Sequence, residues 1–232
     1  MLADDDAVRA AIVSRDVLRT APKDLVHIVM CTLSVAFARE LEQAYAEAGI
    51  AYIAAQSWVG RTSRPPATLN ILAAGDPIAI ERARPLLDAI GQRTWLLGVE
   101  PHEANVAKLA INFLLASAIE AMAGAATLAE RHEIDPAKLM EVITGTLFAA
   151  PAYATYGKLI IEGEFKPGFK LTKDMRLALA AGEAMGVPLP FASVVRDNLV
   201  DAIGHGDAGR DWSALALVAR RRAGLGDAPR QQ

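Results

Sequence analysis

The feature that most restricts the fold of this chain is a change in its hydrophobic pattern at about residue 100. Before that point, short apolar runs typical of strands alternate with segments that repeat at the helical period. After it, the strand signal disappears and every segment as far as Leu225 repeats at the helical period. Strands alternating with helices predict an α/β unit with a parallel sheet, so we expect such a domain followed by an all-α domain.

Four strands are predicted in the first hundred residues, at 26–31, 51–55, 68–73 and 94–97. Ser34 is the predicted N-cap of a helix that ends before Gly49, and Pro77 lies in the first turn of a second helix. Between the second and third strands lies the segment 56–67, which contains Gly60 and two adjacent prolines. We interpret this segment as a loop, and loops at strand ends carry function more often than strands do.

The helical part begins with residues 101–131, which read as one helix of roughly 45 Å at 1.5 Å per residue. A helix of this length suggests an interdomain or dimer-forming role, so we expect a homodimer or a tetramer built from dimers. Further helices are predicted from residue 135 and over 170–185, 189–203 and 212–223. The predicted domains are 1–100, 101–226 and a polar tail, 227–232.

Composition excludes several classes of function. The chain has 24 Lys and Arg against 27 Asp and Glu, a net charge of −3, so no excess of positive charge is available to neutralise nucleic-acid phosphates. A single cysteine, Cys31, indicates a reducing, cytoplasmic compartment. The most apolar stretch, 109–119, is interrupted by Asn112 and Ser117 and is shorter than the roughly 20 residues of a membrane span, so we expect a buried helix and no membrane partner.

A polar stripe crosses the long predicted helix. Asn105, Lys108 and Asn112 follow one another at spacings of three and four residues, which places them on one face of a helix that is otherwise apolar. A desolvated lysine has a lowered pKa and can transfer protons near neutral pH, so Lys108 is a candidate catalytic residue. The alternative is a lysine that extends to solvent beside two locally satisfied asparagines.

Other polar residues give weaker signals. Lys173 and Asp174 lie among apolar residues at helical spacing, which is also typical of a solvated helix face. The four histidines show no metal-ligand spacing, and with one cysteine no zinc set is possible, so no metal is expected. Neither a G-x-G-x-x-G or Walker phosphate loop nor a G-x-S-x-G nucleophile elbow occurs in the sequence.

Five segments, taken together and in order, resemble the β-hydroxyacid dehydrogenase family, which is 3-hydroxyisobutyrate dehydrogenase-like and related to 6-phosphogluconate dehydrogenase. Residues 2–8 look like the family's fourth Rossmann strand entering its helix, and 31–34 resemble its S-T-x-S segment. The loop region 54–75 stands where the family has A-P-V-S-G-G and then G-T-L. Residues 101–113 resemble its G-x-x-x-K-x-x-N-N helix, and 169–178 its F-x-L-x-x-K-D-L-x-L-A segment.

The resemblance implies a partial Rossmann-like domain, an NAD or NADP cofactor and hydride transfer to or from a small carboxylate-bearing alcohol or semialdehyde. The residues it implies are Lys108 as the catalytic lysine, Asn112, Ser57 and Gly60 as substrate-binding residues, Thr32 near the nicotinamide ribose and Lys173 on the cofactor side.

The sequence also departs from the family pattern. Ile111 replaces the first of the two adjacent asparagines, and Trp58 narrows the expected pocket, which makes an imine or a bulkier semialdehyde a second possible substrate. The G-x-G-x-x-G element is missing, together with roughly the first 60 to 70 residues of the family's fold. The alternative function is therefore a catalytically inactive dimeric remnant that lacks the dinucleotide-binding loop.

Overall fold

The structure, a computed structural model, describes residues 2–13, 17–58, 69–165, 167–168 and 172–227, with only the backbone of Trp58. The chain forms two compact units. Unit 1 comprises Met1–Ile111 and Ala180–Gly186, and unit 2 comprises Asn112–Leu179 and Val187–Gln232. The division falls inside a continuous helix, so the predicted domain ranges, with their boundary near residue 100, stay a prediction.

Unit 1 contains a four-stranded sheet in the order β1-β2-β3-β4, formed by β1 (Val26–Val29), β2 (Ala51–Trp58), β3 (Leu69–Gly75) and β4 (Gly91–Gly98). The pairs β1–β2 and β3–β4 are parallel, as expected, whereas β2 and β3 are antiparallel. Two consecutive strands can pair in parallel only if a crossover of about a dozen residues or more, usually a helix, connects them. The connection 59–68 is too short for such a crossover. The prediction of an α/β sheet domain is confirmed, and the sheet is mostly parallel.

The remaining elements are helical. In unit 1 they are α1 (Asp5–Val8), a π-helical turn (Arg9–Val13), α2 (Val17–Thr20), α3 (Val35–Ala48) and α4 (Pro77–Ile90). The helix α5 (His102–Arg131) leads into α6 (Pro136–Gly145), α7 (Pro151–Glu162), α8 (Lys173–Ala184), α9 (Pro190–Gly204), a 3-10 turn (Trp212–Ala214) and α10 (Leu215–Arg222). The all-helical second part of the chain is therefore confirmed.

Local sequence explains where these helices begin and end. The Ser34 hydroxyl accepts a hydrogen bond from the Phe37 amide at 3.1 Å and caps α3, as predicted. Gly49 ends α3 with a φ of 65°, a left-handed conformation that glycine adopts without steric cost. Asp76 caps α4 by accepting from the backbone amides of Ile78 and Ala79.

Because successive side chains of a strand point to opposite faces, β2 serves two cores in unit 1. Tyr52 and Ala54 pack with residues of β1 and α3 and with Ala104, at the start of α5. Ile53 and Ala55 pack on the other face against β3 and α4. This face assignment fixes where the remaining side chains of β2 point.

A half-buried histidine in unit 1 predicts a loss of stability in acid. His27 Nδ1 is hydrogen-bonded to the Tyr45 hydroxyl, and burial lowers the pKa of His27 below its usual 6.5 and raises the pKa of Tyr45, which keeps the phenol as the donor. As the pH falls through about 6.5, His27 of the unfolded chain therefore binds a proton. In the folded chain His27 binds that proton only at a lower pH. We expect the free energy of unfolding to fall as the pH is lowered from 7.5 to 5.

The measurement is urea unfolding of the wild type and of His27→Gln at several pH values. The variant keeps an acceptor for Tyr45 but removes the titration, so its stability is expected to change less over this range. Equal pH dependence of the two proteins would contradict the assignment.

Unit 2 is built around a core of residues from α5 to α10, including Ile119, Met175 and Leu199. Glu130 and Arg220 form a salt bridge inside this unit, with side chains only 4% and 7% exposed. Arg220 Nε also donates to the carbonyl of Gly226 at 2.8 Å. This pair connects the end of α5 to the last helix of the described chain.

By length and apolar composition alone, α5 could cross a membrane, and 39% of its most apolar window is buried. The helix nevertheless carries acidic side chains that have protein partners. Glu120 accepts a hydrogen bond from Asn198 at 2.6 Å, and Glu130 pairs with Arg220. These contacts are typical of the core helix of a folded unit, since lipid offers no such partners.

Candidate active site

The register of the first two strands aligns two predicted site residues at one edge of the sheet. Val29 pairs with Ala54 in the parallel ladder. Thr32 lies three residues beyond Val29, and Ser57 lies three residues beyond Ala54. Both therefore lie at the carboxyl ends of neighbouring parallel strands, which is where open α/β sheets bind their ligands.

Lys108 is held at this same edge. Its Nζ donates a hydrogen bond of 2.7 Å to the backbone carbonyl of Ser57, and the side chain is half-buried. The ammonium is therefore fixed at the end of β2, contrary to the alternative of a lysine extended to solvent. A lysine ammonium has three donor hydrogens in a tetrahedral arrangement. A hydrogen bond from one of them to a carbonyl therefore fixes the directions of the other two N–H groups.

In unit 2, Asn112 has a partner that sequence reasoning did not select as a site residue. Asn112 is 4% exposed, and its Nδ2 donates to Asp174 Oδ2 at 2.8 Å. An ionised carboxylate only accepts hydrogen bonds, so it fixes which way the Asn112 amide is turned. Asp174 was visible in sequence as the neighbour of Lys173, but no sequence signal pairs it with Asn112.

The structure describes the position of Lys173 but not that of Gly60, the two remaining predicted site residues. Lys173 is the first residue of α8 and is half-buried, next to Asp174. Gly60 lies outside the described residues, so its predicted contact with the substrate stays a prediction. The functional roles of Lys108, Asn112, Ser57, Thr32 and Lys173 also stay predictions, because position alone does not test them.

Two amide side chains near Lys108 are buried without partners. Gln56, which precedes Ser57 in β2, and Asn105, one turn before Lys108 in α5, are each 1% exposed. Among the residues that the structure describes, neither the nitrogen nor the oxygen of either amide has a hydrogen-bond partner. Asn105 belongs to the predicted polar stripe, whereas nothing in the sequence singled out Gln56.

Among the described residues of unit 1, the ligand atoms of Glu42, Glu100 and His102 lie within 4.8 Å of one another, close enough to hold a metal ion. His102 Nδ1 lies 2.9 Å from Glu42, and His102 Nε2 lies 3.0 Å from the Arg39 guanidinium. Both ring nitrogens thus have protein partners, and a cation is already adjacent. The expectation of no metal site stays a prediction.

Comparison with known families gives two matches that together cover most of the chain. Residues 1–98 match the family described as the NAD binding domain of 6-phosphogluconate dehydrogenase. Residues 103–219 match the family described as NAD-binding of NADP-dependent 3-hydroxyisobutyrate dehydrogenase. Both descriptions specify binding of a nicotinamide dinucleotide.

Individual relatives agree with these matches. The uncharacterized oxidoreductase YfjR of Bacillus subtilis (strain 168) is 36% identical over 93% of this chain and 77% of its own length. The 2-hydroxy-3-oxopropionate reductase of Escherichia coli (strain K12) is 28% identical over 77% of this chain, which spans 61% of that enzyme.

Solved structures extend the likeness to three dimensions. The 3-hydroxyisobutyrate dehydrogenase of Mycobacterium tuberculosis, solved with L-serine, has a TM-score of 0.82 and 29% identity, over 93% of this chain and 76% of that one. The Salmonella typhimurium protein ygbJ, a 3-hydroxyisobutyrate dehydrogenase, has a TM-score of 0.81 at 23% identity and supports the fold.

Proposed function

The chain belongs to the β-hydroxyacid dehydrogenase family, of the 3-hydroxyisobutyrate dehydrogenase type, and from that premise we propose that it transfers hydride between NAD(P) and a small carboxylate-bearing alcohol or semialdehyde. The observation that carries the proposal is the 2.7 Å hydrogen bond between Lys108 Nζ and the Ser57 carbonyl. This hydrogen bond holds an ammonium group at the carboxyl edge of the sheet, which supports the proposal because open α/β sheets bind their ligands at that edge.

In this proposal Lys108 is the general acid of reduction and the general base of oxidation. When a carbonyl is reduced, negative charge grows on its oxygen, and a donor already within hydrogen-bond reach stabilises that charge as it forms. Lys108 then gives the oxygen its proton, and in the reverse direction it removes the proton from the alcohol. The Ser57 carbonyl keeps the ammonium at one place throughout.

The remaining predicted residues bind and orient the substrate. The Ser57 hydroxyl and the Gly60 amide are proposed to hold the substrate carboxylate. Asn112 is proposed to contact the substrate through its Oδ1 or its second Nδ2 hydrogen, because Asp174 accepts one of the two Nδ2–H groups. Asp174 is thus a positioning residue, which acts on the substrate only through Asn112.

The carboxyl edge of the sheet fits the nicotinamide end of the cofactor, because Thr32 and Ser57 follow adjacent parallel strands there. We propose that Thr32 contacts the nicotinamide ribose and that Lys173 contributes to cofactor binding. The cofactor supplies or accepts the hydride when it is bound. Cys31, the one cysteine, is free and buried, which supports the proposal of a cytoplasmic protein.

The test is cofactor consumption by the 232-residue chain with NADH or NADPH and a panel of small semialdehydes, including 2-hydroxy-3-oxopropionate. Calorimetry measures the binding of each cofactor separately. We expect saturable binding and turnover of at least one semialdehyde. A folded chain that binds neither cofactor would favour the alternative of a dimeric remnant without activity.

A second copy of the chain is the partner that we propose for unit 2. Leu114, Ala121 and Leu128 recur at intervals of seven residues along α5 and are all exposed, the two leucines at 68% and 63%. Residues seven apart lie on one face of a helix, so they form an apolar stripe. Such stripes mark interaction surfaces, and a two-fold symmetric dimer buries the same stripe twice.

We expect the wild type to be a homodimer, or a tetramer built from dimers, at micromolar concentration in size-exclusion chromatography with light scattering. Replacing Leu114 and Leu128 by Lys is expected to yield monomers, because each copy would bring two charges into the interface. Leu86→Lys is the matched control, since Leu86 is 57% exposed on α4 in unit 1. A wild-type monomer would contradict the proposal.

A further inference from the structure

Asp207 is a buried aspartate of unit 2 whose carboxylate pairs with two arginines. Its side chain is 3% exposed, with Oδ1 at 3.1 Å from Arg210 Nε and Oδ2 at 2.6 Å from Arg221 Nη1. Arg221 also donates to both carboxylate oxygens of Asp227, at 2.9 and 3.0 Å. The desolvation of buried charges offsets much of their attraction, so a gain in stability alone does not account for this arrangement.

The turn that begins at Asp207 holds the segment that leads into α8. The Asp207 carbonyl accepts a hydrogen bond of 2.9 Å from the Arg210 amide and closes the turn. Within the turn, the Gly209 carbonyl accepts from the Gly168 amide at 2.7 Å. Pro167 and Arg210 form an antiparallel bridge beside this hydrogen bond. The two backbones are therefore paired over two successive positions.

Two further contacts fix the same pairing. A Cβ at position 168 would overlap the carbonyl group of Arg210, so the backbones can come this close only because Gly168 has no side chain. The Arg210 guanidinium, which Asp207 holds, lies 5.6 Å from the ring centroid of Phe165. We call Asp207, Arg210 and Gly168 the Asp207 anchor, because they join the turn to the segment before α8.

The anchored segment lies directly before two residues of the proposed site. Gly168 precedes Lys173, the first residue of α8, by five residues, which span at most roughly 18 Å when fully extended. The next residue of α8, Asp174, accepts a hydrogen bond of 2.8 Å from Asn112 Nδ2. The start of α8 is therefore held from two sides, by the Asp207 anchor and by Asn112 of α5.

We propose that Asp207 and Arg210 are positioning residues of the reaction, which set the place of Lys173 and of Asp174 and thereby the affinity for cofactor and substrate. This inference rests on the proposed function, in which Lys173 contributes to cofactor binding and Asp174 orients Asn112 toward the substrate. Asp207 and Arg210 act only through these residues and touch neither ligand.

The expected kinetic signature is a split between KM and kcat. Lys108 is held by the Ser57 carbonyl inside unit 1, through a hydrogen bond that does not include the Asp207 anchor. Loss of the anchor is therefore expected to raise the cofactor Kd and the substrate KM by roughly tenfold or more, as misplaced binding groups do. Because the proton donor stays in place, kcat is expected to stay within about threefold of the wild type.

The experiment compares the full wild-type chain with Asp207→Asn and Gly168→Ala, which disturb the anchor from its two sides. Asp207→Asn keeps the size of the side chain and removes its charge, and Gly168→Ala forces the two backbones apart. Asp201→Asn is the matched control, because Asp201 pairs with Arg222 at 2.8 Å and not with the anchor. Calorimetry gives the cofactor Kd and steady-state kinetics give KM and kcat, at a temperature at which all four proteins are folded.

Two further measurements separate positioning from general stability. The Gly168 amide donates to the Gly209 carbonyl, so its hydrogen exchange is expected to be faster in Asp207→Asn than in the wild type. The double variant Asp207→Asn with Gly168→Ala is expected to bind the cofactor no more weakly than the weaker single variant, because both changes act on one contact.

A cofactor Kd and a substrate KM that stay at their wild-type values in the folded variants would overturn the positioning role and leave the proposed function intact. Equal increases in Asp201→Asn, or unchanged exchange of the Gly168 amide in Asp207→Asn, would do the same. If Asp207→Asn does not fold, Gly168→Ala decides by its cofactor Kd and its KM. A wild type that binds neither cofactor and reduces no semialdehyde would overturn the proposed function and the positioning role together.

Discussion

Replacing Lys108 by Met is expected to lower kcat by roughly two to four powers of ten, the usual range for the loss of a positioned acid or oxyanion donor. Met keeps the length of the side chain and its apolar contacts but removes the ammonium that donates to the Ser57 carbonyl. The carbonyl oxygen of the substrate would then develop its charge without a partner. Because the lysine acts on that oxygen, cofactor affinity is expected to change little.

The measurement is steady-state kinetics together with calorimetric titration of the cofactor. Lys158→Met is the matched control, since the Lys158 side chain is 71% exposed and pairs with Glu162 at the surface. Lys173→Ala should behave differently and weaken cofactor binding. A Lys108→Met enzyme with nearly wild-type kcat would refute the catalytic role of the lysine.

The largest expected effect on stability belongs to the buried pair of unit 2. We expect Glu130→Ala to lower the free energy of unfolding by about 3–5 kcal/mol, because it leaves the Arg220 guanidinium charged and buried without its carboxylate. The second oxygen of Glu130, Oε1, has no hydrogen-bond partner in the described part of the chain, and Glu130 lines a cavity of about 20 Å³ that is large enough for one water molecule. Truncation to Ala enlarges that cavity and adds a packing loss.

Urea unfolding tests this expectation with two further variants. Replacing both partners by apolar residues, Glu130→Leu with Arg220→Met, should recover much of the loss, since no uncompensated charge then remains. Glu162→Ala is the control, because its pair with Lys158 is exposed and is expected to contribute about 0.5 kcal/mol or less. If Glu130→Ala unfolded at the same urea concentration as this control, the pair would not stabilise unit 2.

Much of the local structure could be predicted from the sequence, because its causes lie within a few residues. The hydroxyl of Ser34 and the left-handed Gly49 bound α3, and the apolar period produces the single helix α5. The antiparallel direction of β3 was not predicted. Its physical reason is that the connection 59–68 is too short for a crossover between parallel strands. The spacing of apolar residues indicates whether a segment is a helix or a strand. It does not indicate whether a strand runs parallel or antiparallel to its neighbour in the sheet.

For the site, residue types and their spacing identified the candidate residues. They placed Asn105, Lys108 and Asn112 on one stripe of a helix, and the family resemblance added Ser57, Thr32 and Lys173. These conclusions depend on residue type and spacing, which are fixed before the chain folds.

Which of these groups are hydrogen-bond partners follows from the packing of the folded chain. That packing joined Lys108 to the Ser57 carbonyl, 51 residues away in the chain, and Asn112 to Asp174, 62 residues away. It also left the amides of Gln56 and Asn105 without partners. Hydrogen bonds and desolvation depend on distances of a few ångström between segments remote in sequence, and those distances are set by packing rather than by any local pattern.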